Sequence, residues 1–263
     1  MLDRRGAGQP LHPEWHYQWS HFRDEEEFLF RDWISPRTLE DFRGCRVLDA
    51  GCGSGQHAAV VASYAREVVG LDLNTAELAR ERTRHLPNVT IVAADAATFR
   101  PEELFDVVYC VGVIHHTDDP DRVFRNLRDC CRPGGLLIVW CYSREGNALV
   151  RALVEPVRVR VLCRLPRPAV RGLAAVMTAL LYPPVFTVYR LPLRGLPFYE
   201  YFANFRQLSF GRNLLNVFDK LNAPQTQFLD RERVAGWFSS SEFTDVSLTP
   251  YRGVSWRASG RLR

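Results

Sequence analysis

Between Arg46 and Tyr142 the sequence alternates short apolar runs with helix-forming stretches, and this alternation restricts the fold more than any other feature of the 263 residues. Arg46 to Ala50 reads as a strand, Gly55 to Arg66 as a helix with Ala58, Val61 and Ala65 along one side, and Glu67 to Leu73 as a strand again. Thr75 to His85 is a charged run of good helix formers. "NVTIVAAD" ending at Asp95, "FDVVYCVGV" starting at Phe105 and "GGLLIVWCY" starting at Gly134 are three more strands, the last two separated by a helix from about Asp121 to Cys131. Strands this continuously apolar belong to a parallel sheet covered on both faces, which makes the chain α/β.

The alternation stops between about Glu145 and Phe228, where an Arg- and Pro-rich, helix-like stretch reads as an insertion. It resumes with a helix that Asp230 N-caps and that places Val234, Trp237 and Phe238 at i, i+3 and i+4. "FTDVSL" and "GVSWRASGRL" follow as two strands joined through "TPYRG", a connection so tight that the pair is expected to be antiparallel.

The first strand runs into "VLDAGCGSGQH", Val47 to His57, with glycine at every second position. Such a loop turns sharply and brings backbone against a ligand. A dinucleotide fingerprint would need its last glycine at Gln56; the observed order is Asp49-x-Gly51-x-Gly53-x-Gly55. A carboxylate at the entry disfavours a pyrophosphate and favours a ligand carrying a cation. In a doubly wound sheet the strand ends converge on one crevice. Asp72, about twenty positions after the loop, suits ribose hydroxyls, and Asp95 can reach an exocyclic amine such as that of adenine. The ligand reads as an adenosine derivative.

These residues resemble class I S-adenosylmethionine-dependent methyltransferases. "VLDAGCGSGQ", "VVGLDL", "AADA", "FDVVYCVGVIHHTDDP" and "LRDCCRPGGLLIV" look like that family's motifs in order, over roughly Gly44 to Tyr142, and the likeness resumes from Asp230. The resemblance implies S-adenosyl-L-methionine as cofactor and a Rossmann-like doubly wound sheet of seven strands with an antiparallel last strand. It implies that Asp49 and the backbone of Gly51, Gly53 and Gly55 surround the methionine part. Asp72 would take the ribose, Leu73 would lie against the adenine, and Asp95 with the Ala96 backbone would address the adenine edge. Val111 and Gly112 would border the transferred methyl.

The organisation that follows is an N-terminal cover over 1–44, a cofactor-binding core over 45–144, a helical cap over 145–228 and a closing helix and strand pair over 229–263. His115 and His116, just after the fourth strand, are candidate catalytic residues, since an imidazole there could take a proton from a hydroxyl acceptor. The competing reading is that the two rings only order the loop. Cys52 and Cys110 read as packing residues. Trp15, Tyr17, Trp19 and Phe22 either close over the cofactor or pack on outer helices.

Composition narrows the rest. With 46% hydrophobic and 24% charged residues the chain is neither disordered nor fibrous. The seven cysteines are odd in number and lack metal spacing, so no metal site is expected and a reducing, cytoplasmic setting fits. "MLDRRGAGQP" has no apolar core for export. The net charge of +4 is uneven: Val150 to Glu200 holds eight Arg and two Glu, a local +6.

Within the insertion, Leu149, Val150, Leu153, Val154, Val157 and Val161 recur at helical spacing, with Arg151, Arg158 and Arg164 largely off that stripe and a kink expected at Pro156. Gly172 to Tyr189 is uncharged, and Pro183-Pro184 is expected to end its helix. The segment Leu173 to Leu181 needs cover, for which Tyr199, Tyr201, Phe202, Phe205 and Phe210 are available. The expected result is an apolar, Arg-rimmed cap that favours a lipophilic or amphipathic small-molecule acceptor. Incomplete cover would favour peripheral contact of 150–200 with an anionic bilayer. The rival readings are a nucleic-acid methyltransferase, for which the local +6 speaks, and a non-catalytic cofactor-binding subunit. No Asn-Pro-Pro-Tyr-like element follows the fourth strand, so nucleic acid is not the expected partner. The oligomeric state is open.

Overall fold

The structure is a computed structural model that describes residues 12–23 and 26–263. The first eleven residues of the expected N-terminal cover, and with them most of the segment read for an export signal, lie outside the described residues. The strands are β1 (Arg46–Ala50), β2 (Glu67–Leu71), β3 (Val89–Val92), β4 (Phe105–Val111), β5 (Cys131–Tyr142), β6 (Phe243–Tyr251) and β7 (Ser255–Leu262). Among the described residues they form one seven-stranded sheet in the order β3-β2-β1-β4-β5-β7-β6. The first five are parallel, and β7 runs antiparallel to both β5 and β6. This is the Rossmann-like α/β sheet with an antiparallel last strand.

Successive side chains of a strand point to opposite faces, and the core divides accordingly. Val47, Val68, Val107, Tyr109 and Ile138 face α2 (Glu27–Ile34) and α3 (Gln56–Ala62). Leu48, Val69, Val108, Leu137 and Val139 face α5 (Pro120–Asp129) and α10 (Arg231–Trp237). The helix α4 (Ala76–Thr83) covers β3. Two helices start where the sequence provides a cap: Asp119 accepts the Arg122 N–H at 3.0 Å, and Asp230 accepts that of Arg233 at 2.9 Å.

The insertion forms a third core together with α1 (Pro13–His21). It contains α6 (Glu155–Arg160), α7 (Arg167–Phe186), α8 (Tyr199–Phe205) and α9 (Phe210–Asn222). Two expectations, on Pro183-Pro184 and on Arg158, are corrected here. Pro183 and Pro184 do not end α7, which runs on to Phe186. Each forfeits one bond to the carbonyl four residues back, but only one turn follows them, and the Thr187 N–H and hydroxyl both close onto the Pro183 carbonyl, at 3.1 and 2.6 Å. At Pro156, where a kink is expected, the helix changes from a π-helical turn over Val150–Val154 to α6, with the proline in the first turn of α6. Arg158 does not rim the cap: it is buried, bound to the Glu155 carboxylate at 2.9 and 2.6 Å and to the Ala223 carbonyl.

Candidate functional site

Strands β1 and β4 are neighbours in the sheet, but the chain proceeds from them toward opposite edges, and a crevice opens beyond their carboxyl ends. A cavity of about 330 Å³ occupies it. The glycine loop forms one wall. Gly51 has φ +87°, and a Cβ there would lie 2.5 Å from the Val113 side chain. Gly53 has φ +58°, and its Cβ would approach the Trp19 ring to 3.2 Å. Only glycine meets both the torsion and the clearance.

Asp72 does two things at once. Its Oδ1 accepts the N–H groups of Asn74 and Thr75 at 2.8 and 2.9 Å, and its Oδ2 accepts that of Gly53 at 3.0 Å, so the carboxylate ties the loop after β2 to the glycine loop. It also lines the cavity, where Oδ2 retains a lone pair. Burial raises its pKa, and the three backbone donors oppose the shift. Next to it Leu73 is 41% exposed yet borders the cavity, an apolar surface that a flat ring would cover. Asp95, steadied by the Ala97 N–H at 2.8 Å, lies on the same wall with Ala96, and Val111 and Gly112 continue it. Two carboxylates and an apolar shelf fit the hydroxyls, amine and ring of an adenosine.

Three candidate residues are not in the cavity wall. Asp49 lies behind the glycine loop, fully buried, with Oδ2 lacking a partner among the described residues; burial pushes its carboxyl up to about 7, the Tyr109 hydroxyl opposing and Asp72 reinforcing the shift. Gly55 (φ +81°) packs against α4 at Ala79 and Thr83. His115 is sealed in an aromatic nest, its ring 4.1 Å from that of Tyr142, with no partner for either nitrogen among the described residues. Burial drives its pKa well below the usual histidine value. A ring shut away from the cavity cannot take a proton from an acceptor.

His116 does line the cavity. Its Nδ1 is 2.8 Å from the Gln225 carbonyl, which can only accept, so Nδ1 carries the proton and Nε2 the lone pair. Burial lowers its pKa, the Asp219 carboxylate opposing, and the ring is neutral at pH 7. The strap Gln225–Gln227 holds this loop in place: the Gln227 N–H bonds the His115 carbonyl at 2.7 Å, and the Gln225 amide bonds the His116 carbonyl at 3.0 Å and Asp118 at 2.7 Å.

Beside His116 the cavity has an aromatic chamber walled by Trp15, Tyr142, Trp140 and Trp33, whose rings follow one another in contact with it. Its polar groups come from α9, whose Arg212, Asn216 and Asp219 stand at i, i+4 and i+7. Asp219 accepts the Tyr142 hydroxyl at 2.9 Å and the Gln18 amide at 3.0 Å. Sequence reasoning missed this stripe because polar residues opposite Leu214, Val217, Phe218 and Leu221 ordinarily face water. It also missed Tyr142, although the end of a fifth strand in a crevice of strand ends was a usable signal. From the aromatic run, Phe205, Tyr201 and Phe202 share a core with Ala174, Met177 and Leu181 of α7, the cover expected of them, and they lie outside the chamber wall.

The N-terminal aromatic cluster divides between its two readings. Trp15 and Trp19 line the cavity, Trp15 lying 4.7 Å from the His116 ring, while Tyr17 and Phe22 pack on Phe218 of α9. Cys52 and Cys110 are buried, their thiols pushed up by that burial, Cys110 to about 12, so neither supplies a thiolate.

Residues 48–139, which hold the glycine loop, Asp72, Asp95 and the histidine pair, match the family described as methyltransferase domain. This part of the chain is a methyltransferase domain. The chain is also similar to the ubiquinone biosynthesis O-methyltransferase of Pseudomonas syringae pv. tomato, 33% identical over 129 residues, or 47% of this chain and 54% of that protein. The protein of the same description from Mesorhizobium japonicum is 31% identical over 154 residues, 57% of this chain and 61% of its own. The chain thus spans between half and two thirds of these curated relatives. A solved O-methyltransferase family protein of Burkholderia thailandensis shares the fold, with a TM-score of 0.53 at 14% identity over 90% of this chain and 56% of its own.

Proposed function

We propose that the chain transfers a methyl group from S-adenosyl-L-methionine to a hydroxyl of a small, amphipathic, ring-bearing acceptor. The observation that carries this reading is the single cavity in which the Asp72–Leu73–Asp95 wall continues into the aromatic chamber at His116. Oxygen as the accepting atom is supported by the relatives named O-methyltransferases.

The cofactor, when bound, supplies an electrophilic methyl on a sulfonium. Asp72 would accept a ribose hydroxyl through the free lone pair of Oδ2. Leu73 would cover a face of the adenine, with Asp95 and the Ala96 backbone along its edge. The backbone of Gly51 and Gly53 would border the methionine part, and Asp49, one layer behind and raised to about 7 by burial, would be drawn to its charged form by a cationic ligand without touching it. The chain's remaining task is positioning, and alignment of nucleophile and electrophile lowers a barrier by up to roughly 7 to 11 kcal/mol. The tryptophans of the chamber exclude water and offer flat faces to a ring. His116 Nε2 takes the proton that the acceptor hydroxyl must lose, and Asp219, which opposes the loss of charge on that ring, favours its protonated product.

Release of S-adenosylhomocysteine from S-adenosylmethionine in the presence of hydroquinone- and catechol-type acceptors tests the reading. Turnover with phenols and not with alkyl amines or oligonucleotides is the expected result. Tight S-adenosylhomocysteine binding with no turnover on any acceptor would instead favour a cofactor-binding subunit.

A further inference from the structure

The outer surface of the insertion is apolar where a soluble surface is ordinarily polar. On α7 one stripe, Val170, Ala174, Thr178 and Val185, is buried, and the helix packs on α9. The opposite stripe carries Leu173, Val176 and Leu180 at i, i+3 and i+7, with Leu180 70% exposed. A second exposed stripe precedes it, Leu149, Leu153, Val157 and Val161 at intervals of four, with Leu153 66% exposed. Contiguous apolar surface of this kind marks an interaction site.

The charge around it identifies the occupant. Arg160 and Arg164 stand before α7 and Arg190 and Arg194 after it, all four exposed, with exposed Arg151 beside the earlier stripe. The acids of the segment do not answer them: Glu155 is bound to buried Arg158, and Glu200 lies in α8. A second copy seated on this face through a two-fold axis would bring arginines against arginines. An anionic bilayer neutralises them while the leucines and valines enter the acyl boundary. Although α7 has the length and composition to cross a bilayer, its inner stripe is committed to the protein core, and arginines flank both ends. It lies along a surface.

We propose that the insertion is a peripheral membrane-docking face for anionic lipid, with α7 lying in the interface and Arg160, Arg164, Arg190 and Arg194 contacting headgroups. Because α7 packs on α9, which furnishes the polar wall of the chamber, docking sets the catalytic site one helix layer from the lipid. The proposal does not rest on the acceptor assigned above, since lipid binding is read without turnover.

The test is flotation of the full chain with vesicles of equal parts phosphatidylcholine and phosphatidylglycerol, at low and high ionic strength, beside phosphatidylcholine alone. Binding to the anionic vesicles that falls steeply with salt is expected. Val176→Glu with Leu180→Glu should abolish it, and Arg160→Ser with Arg164→Ser should weaken it about 10- to 30-fold. All four positions are exposed, and unchanged S-adenosylhomocysteine affinity reports that the variants are folded. No binding at low salt, or equal binding to phosphatidylcholine alone, overturns the proposal. So does a dimer in solution that Leu180→Glu dissociates while vesicles fail to bind.

Discussion

The Gln18 amide of α1 donates to the Asp219 carboxylate of α9 at 3.0 Å, and Asp219 in turn receives the Tyr142 hydroxyl at the end of β5. One carboxylate therefore joins the first described helix, the insertion and the sheet, and it does so in the cavity wall. Asp219→Asn preserves the volume and removes the charge. Acceptor KM is expected to rise about 10- to 100-fold, the range of a charge-assisted hydrogen bond, while S-adenosylhomocysteine affinity stays within about threefold. With the carboxylate gone the protonated form of His116 loses support, so the acid limb of kcat/KM moves to lower pH. A pH–rate profile unchanged from wild type would detach Asp219 from the reaction.

Asp72→Ala removes the acceptor of three backbone N–H groups as well as the contact proposed for the ribose. Cofactor affinity, read by calorimetry with S-adenosylhomocysteine, should fall by about 100-fold or more, beyond what one lost charged hydrogen bond would cost. Asp72→Asn, which can still accept from some of those donors, should lose less. Equal losses in the two variants would mean that organising the loop contributes nothing to binding.

The two histidines should behave oppositely. His116→Ala is expected to lower turnover by about 100-fold or more with cofactor affinity retained. His115→Phe should keep turnover and leave stability equal or higher, because it replaces a ring whose nitrogens have no partners with one that needs none. The folded-state pKa of His115 lies below its unfolded value, so its contribution is present at neutral pH and lost as pH falls through the unfolded value near 6.5. Thermal melts of His115→Phe should accordingly lose less stability than wild type between pH 7 and pH 5. Identical pH dependence would place the acid sensitivity elsewhere.

Asp49 has the reverse sign. Its carboxyl is raised from 3.8 to about 7 by burial, so the stability associated with its proton is fully present below 3.8 and lost as pH rises through 7. Asp49→Asn should be the more stable protein at pH 8 in the absence of ligand, with the gap closing toward pH 5. Differential scanning calorimetry across that window checks it, and a gap independent of pH would contradict the assignment.

Local features of this molecule were legible in the sequence and long-range ones were not. The span Arg46–Ala50 is the strand read from its apolar run, and Asp230 caps the helix it was assigned to, because both depend on residues adjacent in the chain. The glycine spacing reports a torsion, a property of single residues, and Gly51 and Gly53 have it; their clearances, toward Val113 and Trp19, are set by residues far along the chain. By contrast, the placement of Arg212, Asn216 and Asp219 depends on which side of α9 meets the crevice, and that is decided by how the insertion over 145–228 folds back, well beyond helical periodicity. His115 and His116 are adjacent in sequence yet one is sealed and the other lines the cavity, a difference set by Tyr142 and by the strap at Gln225, more than a hundred positions away in the case of the strap.

Trp19 rests against Gly53 on one side of the cavity, and Trp15 against His116 on the other, both from the same helix. One helix therefore borders both ends of the cavity, tied down by bonds such as those of Gln18 to Asp219 and of the His12 N–H to Asn74 at 2.8 Å. Under the proposed function, exchange of cofactor and exchange of acceptor would both be coupled to the contacts of this helix.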